Sequence, residues 1–355
     1  MKKYRAVAGF VTLVMVSLVS LAGCSGDDEQ KRAEGTTEKK VVELKMHHHE
    51  AAGNVLDTFF HEWAKRVEQD ANGTLKITIF PGASLGGPKT ALDMLNTGIC
   101  DIAWTFSGFH PGQFTLTDAI SLPMLNIKNA KDGTTVLNKM FYQTDYISSE
   151  FEGYKVLWMN TNAQNPIVTK NKKIEKLEDL KNLAIRIPGG PPTDFAIALG
   201  YSPISMGPGD IFSSMEKNVI EGYVIDWGGI ENFKLYEISN YYLSFNHYEM
   251  PFYCMMNQEK FDSLPAEAKA ALEKNSGTEL ALEVAAIFDA TYQNAIVPEV
   301  TKRGSEIVTL SESETAKFRD KAQSVWSKWI EENSKKGYPA QEVFDKYVEF
   351  AQQLQ

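Results

Sequence analysis

Hydrophobic and polar positions follow two different periods along the chain, which predicts strands alternating with helices. The segments "VVELKM" (41–46) and "LKITIF" (75–80) alternate with a period of two, as half-buried strands do. Between them, five large apolar residues recur at helical spacing: Leu56, Phe59, Phe60, Trp63 and Val67. A strand, a helix and a second strand of these lengths predict a βαβ unit with a right-handed crossover.

Comparable patterns continue to the end of the chain. Strand patterns fall at 100–106, 154–159, 183–187, 221–227 and 251–257, and helical patterns fall near 88–96, 191–199 and 209–218. The C-terminal part favours helices, because Pro265 suits a first helical turn and Ser311 with Glu314 forms a capping box. Loops rich in glycine and proline follow the strands, where open α/β sheets bind their ligands. The patterns predict an α/β protein that ends in long helices.

The N-terminal segment predicts export. Three basic residues precede an uncharged apolar run (6–22) that ends in "LAGC" (21–24), which is the pattern of a secretory signal. The cysteine placed after Leu-Ala-Gly resembles a bacterial lipobox, so we expect removal of residues 1–23 and lipidation of Cys24. A plain signal peptide with a chance cysteine is the alternative. Residues 24–40 lack large apolar side chains and predict a disordered tether. The exported protein would then be lipid-anchored at the outer face of the cytoplasmic membrane or lie in the periplasm.

Charge and length limit what the remaining chain can be. The 355 residues carry a net charge of −10, and removal of the first 23, with three positive and no negative charges, leaves −13. Such an acidic surface argues against nucleic acid as a partner. The chain after the tether is longer than one hydrophobic core usually holds, which predicts two lobes. We expect lobe I to comprise 41–163 and 252–291, and lobe II to comprise 164–251 and 292–355 with the C-terminal helices.

An arginine near the end of an apolar strand is the main candidate for binding chemistry. In "LAIRIPGG" (183–190), the apolar residues at 183, 185 and 187 share one face, and Arg186 lies on the other face just before the strand ends. A guanidinium there is either an ordinary solvated charge or a fork that binds an anion. Arginine offers two parallel hydrogen bonds to a carboxylate or sulfonate and stays charged. The pattern alone leaves both possibilities open.

Several segments in order resemble the solute-binding proteins of TRAP transporters, the dicarboxylate-receptor-like family. They are "ANGTLKITIFPGASLGG", "LDMLNTGICDIAW", "IEKLEDLKNLAIRIPGG" and "GYSPISMGPGDIFSSMEKNVIEGYVIDW". The resemblance implies a two-lobe periplasmic-binding-protein-like fold, type II-like, whose hinged lobes close on a small organic acid. It also implies a membrane permease as partner. Because the family's strand arginine anchors the ligand, the resemblance assigns that role to Arg186.

Further candidates come from loops that the predicted fold directs at the cleft. The resemblance implies polar ligand contacts from the loop with His48 and His49, for which a solvated loop is the alternative. A metal site that uses His47 and His49 lacks any supporting Cys, His or carboxylate cluster in the sequence. The aromatic segment 103–114 suggests an apolar wall, formed by Trp104, Phe106 and Phe109. Alternatively, Trp104 packs in the hydrophobic core of the lobe.

Four more residues are candidates, and three of them lie where the sequence departs from the family pattern. Gln164 lies near the predicted first crossing between lobes, where some family members have a second arginine. This chain has no arginine there, which argues against a ligand with two acidic groups. In "IDWGG" (225–229), many members have Asn-Pro instead. Trp227 favours an apolar contact, and Asp226 could orient the arginine, accept a ligand hydroxyl or be a solvated turn residue. Tyr253 could offer a hydroxyl or pack in the core.

The resulting prediction is an extracytoplasmic receptor for a small organic anion, without a catalytic site, metal or cofactor. The sequence contains no nucleophile elbow, phosphate loop or zinc-protease motif. A surface lipoprotein hydrolase and a sensory receptor of the same fold are the alternatives. Cys100 and Cys254 both lie in apolar segments, which favours two buried thiols over a disulfide.

Overall fold

Five strands form the first sheet, in the order β2-β1-β3-β10-β4. Their bounds are Val42–His47 (β1), Leu75–Phe80 (β2), Ile102–Phe106 (β3), Tyr154–Thr161 (β4) and Pro251–Asn257 (β10). Strand β1 is parallel to β2 and β3, whereas β10 is antiparallel to β3 and β4. The predicted βαβ unit is therefore confirmed. The computed structural model describes residues 41–162, 164–190, 192–245 and 247–354, so the predicted signal peptide, Cys24 and the tether lie outside the described residues.

Six shorter strands form the second sheet, in the order β11-β9-β5-β8-β6-β7. Their bounds are Ile167–Thr169 (β5), Ala184–Ile187 (β6), Ser202–Ser205 (β7), Gly222–Val224 (β8), Tyr241–Leu243 (β9) and Glu306–Val308 (β11). Strand β6 is parallel to both of its neighbours, β7 and β8. Their carboxyl ends therefore meet at one edge of the sheet, which is where parallel sheets bind ligands. We refer to the first sheet with the helices of residues 55–143 as lobe I, and to the second sheet with the helices of residues 192–232 as lobe II.

Twelve α-helices lie in the described part of the chain and cover or connect the two sheets. The first six are Val55–Asp70 (α1), Ala91–Thr97 (α2), Ala130–Gln143 (α3), Pro192–Leu199 (α4), Ile211–Glu216 (α5) and Trp227–Asn232 (α6). The others are Gln258–Asp262 (α7), Ala266–Lys274 (α8), Thr278–Thr291 (α9), Val297–Arg303 (α10), Glu312–Lys335 (α11) and Ala340–Gln352 (α12). Ser311 caps α11 as predicted, because its Oγ accepts from the Glu314 amide at 3.3 Å, but the Glu314 carboxylate accepts from the Leu177 amide at 3.0 Å, and the reciprocal bond of the predicted capping box is not formed. Strands β5, β9 and β11 have three residues each, too few for a periodic pattern to reveal.

The chain passes between the lobes at two adjacent segments, 162–166 and 244–250. The Met250 amide donates to Asn162 Oδ1 at 2.8 Å, and Asn165 Nδ2 donates to the Tyr248 carbonyl at 2.9 Å. A third connection is helical: α9 continues through a π-helical turn, Tyr292–Ile296, into α10 beside β11. These connections are placed where a hinge between the lobes would bend.

The two C-terminal helices contact different lobes. Helix α11 packs against α4 of lobe II, where Lys328 Nζ lies 2.7 Å from Asp194 Oδ1. Helix α12 packs against α3 of lobe I, and the Tyr347 hydroxyl donates to the Thr117 carbonyl at 3.3 Å. The lobe boundaries stay a prediction; within the segment 292–355, the contacts of α12 are with lobe I rather than lobe II.

The two cysteines of the described region are buried free thiols, so Cys100 and Cys254 form no disulfide. The thiol of Cys254 has a pKa well above the usual value because it is buried. Across the described ranges, we find no helix with both the length and the apolar character needed to cross a membrane.

Candidate ligand-binding site

A cavity of about 750 Å³, including its open mouth, lies between the two lobes. Loops after β1, β3, β6 and β8 line it, together with β10 and helix α9. Its walls are mostly apolar: Phe106, Phe109, Pro188, Pro208, Ile225, Phe233, Met250, Phe252, Ile287 and Phe288. Its polar lining includes His49, Glu50, Asn54, Arg186, Asp226 and Asn232. A mostly apolar enclosure with a few convergent polar groups is typical of a small-molecule site.

Arg186 is held at the carboxyl edge of the second sheet by both neighbouring strands. Its Nε donates to the carbonyl of Met206 at 3.0 Å, just beyond β7, and its Nη1 donates to the carbonyl of Val224 at 2.8 Å, the last residue of β8. The side chain is only 3% exposed, and burial lowers its pKa to about 10, so the guanidinium stays charged at neutral pH. Among the described residues, no carboxylate lies within the 4.0 Å that defines an ion pair with it. The solvated alternative for Arg186 is therefore wrong.

Asp226 is an acidic group of lobe II that lines the cavity together with Arg186. It is the N-cap of α6: Oδ1 accepts from the Gly229 amide at 3.1 Å, and Oδ2 accepts from Asn162 Nδ2 at 3.2 Å. Burial raises the pKa of this carboxyl, while these hydrogen bonds lower it. Asp226 is therefore a buried capping residue rather than a solvated turn residue.

Glu50 and Asn54 of lobe I meet Asn232 of lobe II across the mouth of the cavity. Asn54 Nδ2 lies 2.7 Å from Glu50 Oε2 and 3.3 Å from Asn232 Oδ1, and Asn232 Nδ2 lies 3.1 Å from Glu50 Oε2. We call these three residues the clasp. Burial and the nearby Asp226 raise the pKa of Glu50 to about 7. The clasp joins the two lobes through hydrogen bonds that opening of the cleft would break.

His49 forms part of an aromatic wall in lobe I. Its ring stacks on Trp104 at 5.2 Å between centroids and meets Phe109 edge to face at 5.3 Å. Burial lowers the pKa of His49 to about 3, so this ring is neutral. Phe106 and Phe109 line the cavity, whereas Trp104 is fully buried two residues deeper on β3 and lies behind His49 and Phe252.

His48 points away from the cavity, as expected for consecutive side chains in an extended segment. Its Nε2 lies 3.0 Å from Asp57 Oδ1 on α1, and its ring packs on Phe60 at 4.8 Å. Burial lowers the pKa of His48 to about 4, although Asp57 opposes this shift. The structure thus places His49, but not His48, in the cavity wall.

Three other sequence candidates also lie outside the cavity lining. Gln164 donates to the Lys128 carbonyl at 3.0 Å, and Trp227 packs on Tyr292 at 4.7 Å; both line a separate surface crevice. Tyr253 is buried against Phe114 at 4.7 Å, because adjacent residues of β10 face opposite sides and Phe252 occupies the cavity side. For Tyr253, the structure agrees with core packing.

Sequence reasoning did not assign the clasp to the cavity, nor three of the aromatic lining residues, Phe233, Phe252 and Phe288. Glu50 directly follows the histidine loop, and a carboxylate beside a candidate contact is a signal that could have been used. Asn232 and Phe288 come from distant segments, and nothing in a single sequence shows that these segments meet at the cavity. Across the described ranges, no group of three or more His, Cys, Asp or Glu residues is arranged to hold a metal ion.

Comparison with known proteins adds to this geometry. A TRAP solute-binding protein from a marine metagenome, specific for aromatic acid ligands and solved with metahydroxyphenylacetate, has a TM-score of 0.83. It is 27% identical, and the match covers 88% of this chain and 99% of that one. A TRAP solute-binding protein from Rhodoferax ferrireducens T118, solved with copurified benzoate, has a TM-score of 0.82 at 23% identity over 88% of this chain and 98% of that one, which supports the fold alone.

A curated relative points to the same class of protein. The 2,3-diketo-L-gulonate-binding periplasmic protein of Escherichia coli K12 is 23% identical over 244 residues, 68% of this chain and 74% of the relative. Such relatives are solute-binding receptors, so the hydrolase alternative is wrong. Residues 46–333 match the family described as bacterial extracellular solute-binding protein, family 7. This chain therefore belongs to that family, the TRAP solute-binding proteins, which bind small organic ligands outside the cytoplasm and deliver them to membrane permeases.

Proposed function

We propose that this protein captures a small monocarboxylate with an apolar, preferably aromatic, body, and that Arg186 binds its anionic group. The observation that carries the proposal is a buried guanidinium without an ion-pair partner among the described residues, which faces an apolar cavity. A buried charge needs a partner of opposite sign. A ligand carboxylate would supply it, and a sulfonate has the same charge and a similar set of acceptor oxygens.

The shape and chemistry of the cavity support an aromatic ligand. Phe106 and Phe109 line it from one strand end, and Phe252 and Phe288 line it from β10 and α9. Aromatic rings attract one another in stacked or edge-to-face arrangements beyond the effect of area burial. The relative that is 27% identical to this chain binds metahydroxyphenylacetate, which has one carboxylate and one aromatic ring. We infer that a ligand of this class suits the present cavity.

Ligand capture would involve closure of the two lobes. Arg186 belongs to lobe II, while His49, Phe106 and Phe109 belong to lobe I, so a ligand that touches both favours the closed form. The clasp adds hydrogen bonds that exist only when the lobes meet. We further propose that Cys24 carries a lipid, which keeps the receptor at the membrane beside its permease.

A thermal-shift comparison of benzoate with benzamide tests the proposed function. The two probes have nearly the same size, but only benzoate is charged, so we expect benzoate to raise the melting temperature and benzamide to leave it unchanged. Phthalate, with two carboxylates, serves as a second control and is expected to give a smaller shift. Equal shifts with benzoate and benzamide would contradict recognition of an anion.

A further inference from the structure

The clasp fixes which oxygen of Glu50 is available to a ligand. Asn54 is the N-cap of α1, and its Oδ1 accepts from the Asp57 amide at 2.7 Å. That bond leaves Asn54 Nδ2 to donate, and it donates to both Glu50 Oε2 and Asn232 Oδ1. The Asn232 oxygen is thereby an acceptor, so its Nδ2 also donates to Glu50 Oε2. Both amide orientations follow from one helix cap.

Glu50 Oε2 therefore accepts two amide protons, while Oε1 has no hydrogen bond to a described residue. His49 Nε2 lies 3.6 Å from Oε1, which is beyond hydrogen-bond distance. The Glu50 side chain is 16% exposed and lines the cavity. A partly buried carboxylate oxygen without a donor is a binding group that still lacks its partner.

The other acidic groups at the cavity differ from Glu50 in this respect. Both oxygens of Asp226 already accept hydrogen bonds, from the Gly229 amide and from Asn162. Glu231 is exposed to solvent. Glu50 thus offers an unoccupied acceptor on lobe I, while Arg186 offers the donor on lobe II, and the aromatic wall lies in the same cavity.

We propose that Glu50 is a specificity-determining residue whose Oε1 accepts a hydrogen bond from a hydroxyl group on the aromatic ligand. This inference rests on the proposed function and narrows the ligand to a hydroxylated aromatic monocarboxylate. The carboxylate of the ligand binds Arg186 in lobe II, and its hydroxyl binds Glu50 in lobe I. The ligand therefore connects both lobes through polar contacts at two different groups.

Calorimetry with benzoate, 3-hydroxybenzoate, 4-hydroxybenzoate and 3-methoxybenzoate tests the proposal in wild type and Glu50→Gln. Titrations at about pH 8.5 keep Glu50 ionised, since its pKa is about 7. We expect one hydroxybenzoate to bind about ten-fold tighter than benzoate, because hydrogen bonds to charged acceptors are the stronger kind. The methoxy probe accepts but does not donate, so it should show no such gain.

The Glu50→Gln variant has a side chain of nearly the same shape, but it presents a hydrogen-bond donor to the ligand in place of an acceptor. Its amide oxygen would stay on Asn54 and Asn232, so its NH₂ would face the cavity in place of Oε1. We expect the affinity ratio of hydroxybenzoate to benzoate to fall to about two-fold or less. The ratio is the readout because loss of a negative charge changes the affinity of every anion. Circular dichroism and the melting curve check that the variant folds.

The outcomes separate this inference from the proposed function. Failure of benzoate and all its derivatives to bind would contradict the proposed function itself. If benzoate binds but neither hydroxy isomer gains affinity, or if the gain persists in Glu50→Gln, the role of Glu50 is wrong while anion capture stands. A gain for the methoxy probe equal to that of the hydroxy probe would also contradict donation to Glu50.

Discussion

Replacing Arg186 with methionine separates ligand binding from folding. Methionine keeps an unbranched apolar stem but is shorter than arginine and has no charge and no donors. The change removes the hydrogen bonds from Arg186 to the carbonyls of Met206 and Val224, and it removes the charge that faces the cavity. Ligand affinity and unfolding free energy should respond very differently, because the buried charge lacks an ion-pair partner among the described residues.

The contribution of Arg186 to folding is a small difference between two larger effects. Burial lowers its pKa from 12.5 to about 10, which corresponds to about 3 kcal/mol of destabilisation of the charged form. The two hydrogen bonds from the guanidinium to carbonyls offset this by about 1.5 kcal/mol each. We therefore expect Arg186→Met to change the unfolding free energy by less than about 2 kcal/mol. For the bound acid, loss of the buried partner charge costs about 3–5 kcal/mol, a decrease in affinity of at least a hundred-fold.

The assays are chemical denaturation for stability and isothermal calorimetry with benzoate for affinity. Arg186→Lys is the matched control, because lysine keeps the charge but lacks the fork that contacts both carbonyls and a carboxylate at once. We expect binding by Arg186→Lys to be intermediate between wild type and Arg186→Met. Binding of benzoate to a folded Arg186→Met protein within three-fold or so of wild type would refute the role of this guanidinium as anchor.

Four other changes give distinct results. Folding raises the pKa of Glu50 from 4.5 to about 7, so wild type is most stable below pH 4.5 and loses this stability as the pH rises through 7. Glutamine does not titrate, so the unfolding free energy of Glu50→Gln should rise relative to wild type by up to about 3 kcal/mol over that range. Denaturation at several pH values measures this difference. Asn232→Ala removes the contacts of the clasp to lobe I, so calorimetry should show about ten-fold weaker ligand binding and X-ray scattering a larger radius of gyration without ligand. Tyr253→Phe removes a buried hydroxyl without a partner among the described residues, so melting and calorimetry should show a stability change under about 1 kcal/mol and unchanged affinity. Cys24→Ala should release the protein from membrane fractions, and continued partitioning into membranes would contradict lipidation.

Much of the fold follows from local patterns in the sequence. The alternation in 41–46 and 75–80 predicts β1 and β2, and the helical spacing between them predicts α1. The segment 221–227 has a strand pattern, yet β8 stops at Val224, because Asp226 turns the chain and caps α6. An aspartate inside an apolar segment is a local signal for a helix N-cap, and the strand pattern of 221–227 does not show it.

The binding site is less predictable, because it depends on which side of each element faces the cavity. Arg186 was identified from the end of its strand together with the family resemblance, and its place in the cavity agrees with that role. The sequence predicts a strand at 251–257 but not which of its two faces is directed at the cavity. A shift of one residue would place Tyr253 rather than Phe252 at the cavity. In the clasp, Asn232 contacts Asn54 and Glu50, which precede it in the sequence by 178 and 182 positions. Only the tertiary structure reveals these contacts.

A crystal structure of the protein with benzoate bound is the most direct test of Arg186 as the anion anchor. We expect a carboxylate oxygen within about 3 Å of the guanidinium, at the nitrogen that does not bond to Met206 or Val224, and the ring against the aromatic lining. A bound benzoate whose carboxylate faces bulk solvent, or a neutral solute in the cavity in its place, would contradict it.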